Sequence, residues 1–579
     1  MKNDTGALNE LWTRLIIKEL IHHGIRSFCI SPGARSTPLT IAAPTHPLSE
    51  TFVHYDERGM AYHALGYAKG SRQPVALIVT SGTAVGNLLP AIMEAHHDHV
   101  PLIVLSADRP PELRDCGANQ ATDQVKIFSN FVKWQGDLPC PDSKISQSYI
   151  GTTIAQAMSH ALSGPKGPIH LNCMFRKPFL DLEDSAPVSL HLSSRSVHSA
   201  ETTLSLGKTV LAEATLERIA DELSEYEKGL ILVSESTPFD DVEQVYSLSR
   251  ALQWPIFPDI FSSVRSNGSG YGVIPHYDLL LKAIGAHEDY APEAILQLGD
   301  RFVSSKLTDW IASKKPKVHC HISPHSDRKD PVHSVTHRAS SDLNHFLDHF
   351  PRYFSGRSPS KWFETWKELN QLTKKGIKSY FIENNGFSEP LLFHSLKNNI
   401  PTRAALFFSN SMNVRNGDAF FTPEEPVGPI FGNRGLSGID GNIATVAGIA
   451  RGSGKPVVAF VGDLAFLHDL NSLAQLKNLP VKLIIVNNNG GDIFNFLPIG
   501  EEKELFTTPQ NHLLKHAAPL FDLPYENPQT LDDLAALLRN PGPLVIEVNT
   551  LQGQNLAIHK DLLSNLQEIP SRVTPAVSC

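Results

Sequence analysis

The sequence predicts an α/β protein of three doubly wound parallel-sheet domains, the first and third built on the same fold. Three observations predict it. Short continuous apolar runs alternate with amphipathic helical patterns along the chain, as parallel strands covered by helices on both faces require. The 579 residues suit three domains at roughly 100–200 residues each. A segment near residue 65 recurs near residue 447, so one fold is used twice.

The elements follow in order. Leu8, Leu11, Trp12, Leu15, Ile16 and Leu20 recur at helical spacing and stop at Gly24, a residue suited to closing a helix. Apolar runs at 27–30, 75–80 and 102–106 predict strands, each followed by small residues and a further helical pattern. Residues 185–207, rich in Ser, His and Thr, read as a linker. A second block carries strand candidates at 229–233, 294–298 and 318–322. A third, from about residue 358, carries long helical patterns and strand candidates at 405–408, 457–461, 483–486 and 543–548. The expected domains are 1–185, 198–355 and 356–579.

Within the repeat, Leu65-Gly-Tyr-Ala-Lys-Gly-Ser-Arg-Gln-Pro-Val75 matches Ala447-Gly-Ile-Ala-Arg-Gly-Ser-Gly-Lys-Pro-Val457. Gly66, Ala68, Gly70, Ser71 and Pro74 pair with Gly448, Ala450, Gly452, Ser453 and Pro456 at a constant offset of 382 residues. The copies part where chemistry belongs. After the strand, the first reads Thr80-Ser81-Gly82 and the second Gly462-Asp463-Leu464. Open α/β sheets bind ligands outside the carboxyl ends of their strands. One copy therefore offers a carboxylate for a cation there, and its twin has another task.

Composition excludes several classes. Apolar residues at 41% and charged residues at 19% describe a soluble globular chain with ample core. A net charge of −9 lacks the basic face a general nucleic-acid binder needs. No apolar run reaches the length of a membrane span, and residues 1–10 contain no apolar signal core. Cys29, Cys116, Cys140, Cys173, Cys320 and Cys579 are scattered without a C-x-x-C pair, which fits a reducing, cytoplasmic setting.

Two motifs carry chemistry. Gly462-Asp463 is followed by Asn487-Asn488-Asn489-Gly490-Gly491, with Asp463 and Asn488 25 residues apart across one helix and one strand. A carboxylate, an amide oxygen and a backbone carbonyl are hard ligands suited to Mg²⁺, which bridges phosphate oxygens. Turn formation is the bland alternative for the same residues. In His54-Tyr55-Asp56-Glu57-Arg58-Gly59, Glu57 stands where a strand gives way to a helix, and a plain dipole partner is the bland alternative.

Gly-Asp followed by Asn-Asn at this spacing resembles the thiamine diphosphate fingerprint. Further motifs narrow the resemblance: Ser31-Pro-Gly-Ala-Arg-Ser-Thr-Pro38, Asp56-Glu-Arg-Gly59, Ala107-Asp-Arg-Pro-Pro111, Asp115-Cys-Gly-Ala-Asn-Gln120, Asn433-Arg-Gly-Leu-Ser-Gly-Ile-Asp440 and Asn487-Asn-Asn-Gly-Gly-Asp-Ile-Phe494. They resemble the 2-succinyl-5-enolpyruvyl-6-hydroxy-3-cyclohexene-1-carboxylate synthases (MenD) of menaquinone biosynthesis. The resemblance runs from about residue 8 to 548, strongest in the first and third blocks.

It implies a thiamine diphosphate-binding fold with a pyrimidine-binding domain at 1–185, a central domain at 198–355 and a diphosphate-binding domain at 356–579. It implies a transferase that decarboxylates 2-oxoglutarate and adds the succinic semialdehyde carbanion to isochorismate. Thiamine diphosphate and Mg²⁺, or Mn²⁺ in its place, are the implied cofactors. Asp463, Asn488 and Gly490 are the implied metal ligands. Glu57 is the implied catalytic residue, hydrogen-bonding the pyrimidine ring and favouring the tautomer that takes the thiazolium C2 proton. Ser411 and Ile439 join the cofactor set. Arg35, Arg109, Asn119, Gln120, Lys306, Arg415, Arg434 and Phe494 are the implied substrate contacts, arginine suiting carboxylate-rich substrates through its planar fork. The resemblance further implies a homodimer or dimer of dimers, with Glu57 and Asp463 of one site drawn from different subunits.

Three positions depart from the family pattern: Ala34 for Ser, Asn413 for Pro and Leu436 for Ala. None removes a charge or a metal ligand. An acetolactate-synthase-like enzyme acting on pyruvate fits less well, because one carboxylate does not call for so many arginines. A non-catalytic binding protein would not need Glu57 and the metal set together. A dinucleotide dehydrogenase would need a Gly-x-Gly-x-x-Gly after the first strand, and none is there.

Overall fold

A computed structural model describes residues 5–180, 200–235, 241–354, 356–500 and 502–573. Of the expected linker, 185–199 lie outside the described residues, as do 1–4 and Cys579.

The first sheet contains β1 (Ser27–Ser31), β2 (Glu50–Val53), β3 (Val75–Val79), β4 (Leu102–Asp108), β5 (Trp134–Leu138) and β6 (Ile169–Met174). The second contains β7 (Gly229–Val233), β8 (Ile256–Pro258), β9 (Ala294–Leu298), β10 (Val318–Ser323) and β11 (His337–Ser340). The third contains β12 (Ala405–Phe408), β13 (Ile430–Phe431), β14 (Val457–Gly462), β15 (Val481–Asn487), β16 (Tyr525–Glu526) and β17 (Leu544–Asn549). The described strand pairs are parallel, among them β1 with β3, β7 with β9 and β12 with β14.

The strand orders bear out the duplication. The first sheet runs β2-β1-β3-β4-β6-β5 and the third β13-β12-β14-β15-β17-β16. Counted from each sheet's own first strand, these are the same order. The middle sheet runs β11-β10-β9-β7-β8, a different doubly wound order. The strand order of both outer sheets reverses beside their first strand, where open α/β sheets leave a crevice for ligand.

Each predicted strand is present. Those the apolar runs did not reveal are β2, β5, β6, β8, β11, β13 and β16. Most are short or at sheet edges, where one side faces solvent and no continuous run is needed. The predicted first helix spans Thr5–His22, with Gly24 at φ +98° behind it.

The first sheet is buried on both faces. Phe28 and Ile30 of β1 and Ala76 and Ile78 of β3 point into one core. Cys29, Val75, Leu77 and Val79 point into another. Alternation along each strand divides the residues between the two, which is why these runs read as continuously apolar.

The chain forms two compact units. One comprises Met1–Gly207, Asn433–Lys455 and Ala465–Val481; the other Lys208–Gly432, Pro456–Leu464 and Lys482–Cys579. In the first unit the two copies of the repeat meet, helix Glu57–Ser71 packing against helix Asn442–Ser453. A Cβ on Gly66 would overlap the Thr445 carbonyl, and one on Gly448 the His63 carbonyl. A Cβ on Gly452 would likewise overlap the Tyr67 carbonyl. The repeated glycines thus bring the two backbones together. No helix among the described residues is long and apolar enough to cross a membrane.

Candidate active site

The second unit holds the acidic turn. β14 ends at Gly462 and Asp463 opens the helix Asp463–His468. β15, its neighbour in the sheet, ends at Asn487, so Asn488 stands at the adjacent strand end. Asp463 is 4% exposed and Asn488 8%. The Gly490 amide donates to Asp463 Oδ2 at 2.6 Å and the Leu464 amide to Oδ1 at 2.9 Å. Gly490 has φ +138°, and a Cβ there would overlap the Thr507 carbonyl, so this close turn admits only glycine. Burial pushes the Asp463 carboxyl up to about 6, opposed by the hydrogen bonds from the Leu464 and Gly490 amides.

The donor set fits a divalent metal. Asn488 Nδ2 donates to Glu389 Oε1 at 2.8 Å. Its Oδ1 is buried with no hydrogen-bond partner among the described residues. Buried amide oxygens are rarely left unsatisfied. A carboxylate, this oxygen and the backbone at Gly490 are the hard ligands Mg²⁺ takes.

Other predicted residues of this unit lie nearby or apart. Ser411 caps the helix Met412–Phe420 with φ +68°, and its carbonyl accepts from exposed Arg415 at 2.6 Å. Asn413 is buried and donates to Ser409 Oγ at 3.1 Å. A Cβ on Gly462 would meet the Asn413 amide at 3.9 Å, which puts this loop beside the end of β14. Asn413 is thus accommodated where the family has Pro. Phe494 lies on the turn Asp492–Phe496, its ring 5.6 Å from that of Phe506. Lys306, in the first turn of the helix Ser305–Lys314, is half-buried. No described hydrogen bond or ion pair joins it to the turn.

The first unit holds Arg35, Arg109 and Arg434. Arg35 and Arg109 are each 7% exposed. Arg35 donates to the Phe175 carbonyl at 2.6 Å and lies over the Phe179 ring. Arg109 donates to Ser81 Oγ and to the Asn119 carbonyl. Burial lowers both guanidiniums from their ordinary values, and for Arg35 the like charge of Arg109 adds to this. Asp108 opposes this shift in both, and its Oδ1 accepts from the Arg109 amide at 2.7 Å. Gln120, exposed and at φ +56°, donates to the Ser81 carbonyl at 2.9 Å. The Asn119 side chain is exposed.

Glu57 is the first residue of the helix Glu57–Ser71, whose N-cap is Asp56. Its Oε2 accepts from Asn87 at 3.0 Å. Arg434 and Ile439 share the stretch 433–440. Glu94 pins it, accepting from the Gly435 and Leu436 amides at 2.7 Å each. Tyr62, on the Glu57 helix, donates to Asp440 at 2.5 Å. Arg434 is half-buried, while Ile439 is 40% exposed and Leu436 46%. Ala34 opens the short turn Ala34–Ser36.

Sequence reasoning missed Glu389, Glu94, Ser81 and Asn87 as participants. Glu389 opens the helix Glu389–Ser395 and looks like any first-turn glutamate. The signal that could have flagged Ser81 was its twin relation to Asp463.

Three family models match the chain: Thiamine pyrophosphate enzyme, N-terminal TPP binding domain, over 12–127; Middle domain of thiamine pyrophosphate, over 208–408; and Thiamine pyrophosphate enzyme, C-terminal TPP binding domain, over 417–548. The 2-succinyl-5-enolpyruvyl-6-hydroxy-3-cyclohexene-1-carboxylate synthase of Salinibacter ruber is 38% identical over 569 residues, 96% of each chain. That of Rubrobacter xylanophilus is 38% identical, covering 97% of this chain and 99% of its own. That of Chlorobium phaeobacteroides is 37% identical, covering 98% and 99%. Among solved structures, benzoylformate decarboxylase from Polynucleobacter necessarius matches with TM-score 0.70 at 14% identity, over 93% of this chain and 98% of that one. At that identity the likeness shows the fold alone.

Proposed function

The chain belongs to the 2-succinyl-5-enolpyruvyl-6-hydroxy-3-cyclohexene-1-carboxylate synthase family of thiamine pyrophosphate enzymes, and from that premise we propose how its residues divide the work. The reaction is decarboxylation of 2-oxoglutarate followed by addition of the succinic semialdehyde unit to isochorismate, giving the family's product and CO₂ in menaquinone biosynthesis. Thiamine diphosphate, when bound, would supply a thiazolium ring as the sink for the electron pair left by CO₂.

Asp463, Asn488 and Gly490 hold Mg²⁺, or Mn²⁺, through the carboxylate, the amide oxygen and backbone. Ser411 and Ile439 seat the cofactor. Glu57 holds a proton against the pyrimidine ring and sets its tautomer. Arg35 and Arg109 receive substrate carboxylates, aided by Asn119, Gln120, Lys306, Arg415 and Arg434, and Phe494 forms an apolar wall that excludes water. Glu57 of one copy and Asp463 of a second serve one site, so a homodimer is the minimal catalytic unit, in a cytoplasmic enzyme. The pyrimidine-binding, central and diphosphate-binding domains are 1–185, 198–355 and 356–579.

One observation carries the reading: the buried Asn488 oxygen, without a partner among the described residues, at the strand end beside Asp463. The test supplies purified protein with Mg²⁺, thiamine diphosphate, 2-oxoglutarate and isochorismate. The expected outcome is CO₂ release and adduct formation that stop on chelation of the metal. A cofactor-loaded enzyme that turns over pyruvate in preference to 2-oxoglutarate would overturn the substrate assignment.

A further inference from the structure

Glu389 is 3% exposed and lies in the second unit, opening the helix Glu389–Ser395. Its carboxylate is saturated by donors. Oε1 accepts from Asn488 Nδ2 at 2.8 Å and from Thr550 Oγ1 at 3.3 Å. Oε2 accepts from Asn555 Nδ2 at 2.8 Å and Asn416 Nδ2 at 3.1 Å. The Asn416 oxygen is in turn bonded to the His559 ring at 2.9 Å, so that amide is oriented from both ends.

An ionised carboxylate only accepts hydrogen bonds, whereas an asparagine amide has one accepting and one donating end. The three amides that contact Glu389 accordingly present their NH₂ ends, and Thr550 its hydroxyl. For Asn488 this turns Oδ1 the other way, where it is buried with no partner among the described residues. Nothing in the Asn488 side chain's shape makes that choice, since the two ends of an amide are nearly isosteric.

We propose that Glu389 is a positioning residue for the metal: it locks the Asn488 amide with its oxygen forward, so that an oxygen and never an NH₂ faces the cation. The inference rests on the reading of Asn488 as a metal ligand. Groups that orient a metal ligand from behind typically carry about 10- to 100-fold in metal affinity.

The test follows Mn²⁺ binding to thiamine diphosphate-loaded protein by paramagnetic resonance, with turnover measured in parallel. Glu389→Gln has one acceptor oxygen and adds donors. The Asn488 amide then loses its lock, and Mn²⁺ affinity is expected to fall about 10- to 100-fold. Adding Asn488→Asp restores Mn²⁺ affinity to within a few-fold, because a carboxylate shows oxygen in either orientation and accepts from the amide group introduced at position 389. A merely structural role would not produce that rescue.

Should Glu389→Gln fail to fold, Glu389→Asp carries the test. It keeps the carboxylate but withdraws it from the Asn488 amide, and Mn²⁺ affinity is expected to fall about 10-fold. A wild-type affinity in either folded variant overturns the proposal. Asn488→Ala separates the two levels. If it leaves Mn²⁺ binding intact, the ligand reading fails and takes this inference with it. If it abolishes binding while Glu389→Gln does not, the ligand reading stands and the role of Glu389 is refuted.

Discussion

The turn after β3 and the turn after β14 stand at the same place in two sheets of identical strand order, and they face opposite chemical partners. At the first, Ser81 accepts a hydrogen bond from the buried Arg109 guanidinium. At the second, Asp463 accepts from backbone amides and stands beside an amide oxygen without a partner among the described residues. On the proposed reading, one backbone geometry, with strand ends open to ligand, serves an anion in one copy and a metal in the other. The turn residues differ, hydroxyl against carboxylate, and so do the groups around them: Arg109 at the first and backbone amides at the second.

Removing the charged member of either half should have the largest effects. Asp463→Ala is expected to abolish metal-dependent turnover, by at least about 10²-fold, with Mn²⁺ binding lost in the same titration. Glu57→Gln is expected to lower kcat by about 10²- to 10⁴-fold while Mn²⁺ and thiamine diphosphate still bind. If both variants lost metal affinity equally, the division of labour between the copies would be wrong.

Next in size is the joint where the copies meet. Gly448→Val places a branched side chain onto the His63 carbonyl in the helix pair. Overpacking of this kind costs about 1–3 kcal/mol, and more where backbone rather than a flexible side chain blocks the way. Thermal unfolding should show a clearly lowered midpoint in cofactor-free protein. An unchanged midpoint would mean the helices do not approach as closely as the glycines require.

A smaller effect tests the twin turns directly. Ser81→Asp gives the first copy the residue of the second. If a carboxylate alone made a metal site, the variant would bind a second Mn²⁺. The expected result is no added metal, because the new carboxylate pairs with Arg109 instead. Removing that guanidinium from substrate should raise KM about 10-fold or more, since hydrogen bonds to charged groups contribute roughly 1.5–3 kcal/mol.

These contrasts were partly legible in the sequence. Strands buried on both faces are continuous apolar runs, so β1, β3, β4 and β14 announced themselves, and with them the turns carrying Ser81 and Asp463. Edge strands such as β2 and β16, half-exposed, gave no such run. The repeat was visible and its meaning as a duplicated fold held, but not the physical use of its glycines: Gly66 and Gly448 bring two helices into contact. Glu389 and Glu94 were invisible for a different reason. Each acts on groups far away in sequence, Asn488 and the amides of Gly435 and Leu436, and no local pattern encodes a carboxylate that will be buried by distant chain.

Glu94 provides the finest test, because it ties the stretch carrying Arg434 and Ile439 to the first unit. Burial, helped by nearby Asp98 and opposed by Lys69, pushes its carboxyl from the ordinary 4.5 up to about 7. The sign follows from proton counting. Below pH 4.5 both folded and unfolded chains hold the proton, and the stability is fully present. As pH rises towards about 7 the unfolded chain releases its proton first, so it binds fewer protons than the folded one and stability falls. Above about 7 the folded chain has ionised too, and the loss levels off. Glu94→Gln keeps an oxygen for one of the two amides but cannot ionise. It should start less stable at about pH 5, where one hydrogen bond is lost, and then narrow the gap with wild type as pH rises to about 8. Unfolding midpoints of the two proteins across that range provide the measurement, and a gap that stays constant with pH would show that the buried carboxyl does not hold its proton in the folded state.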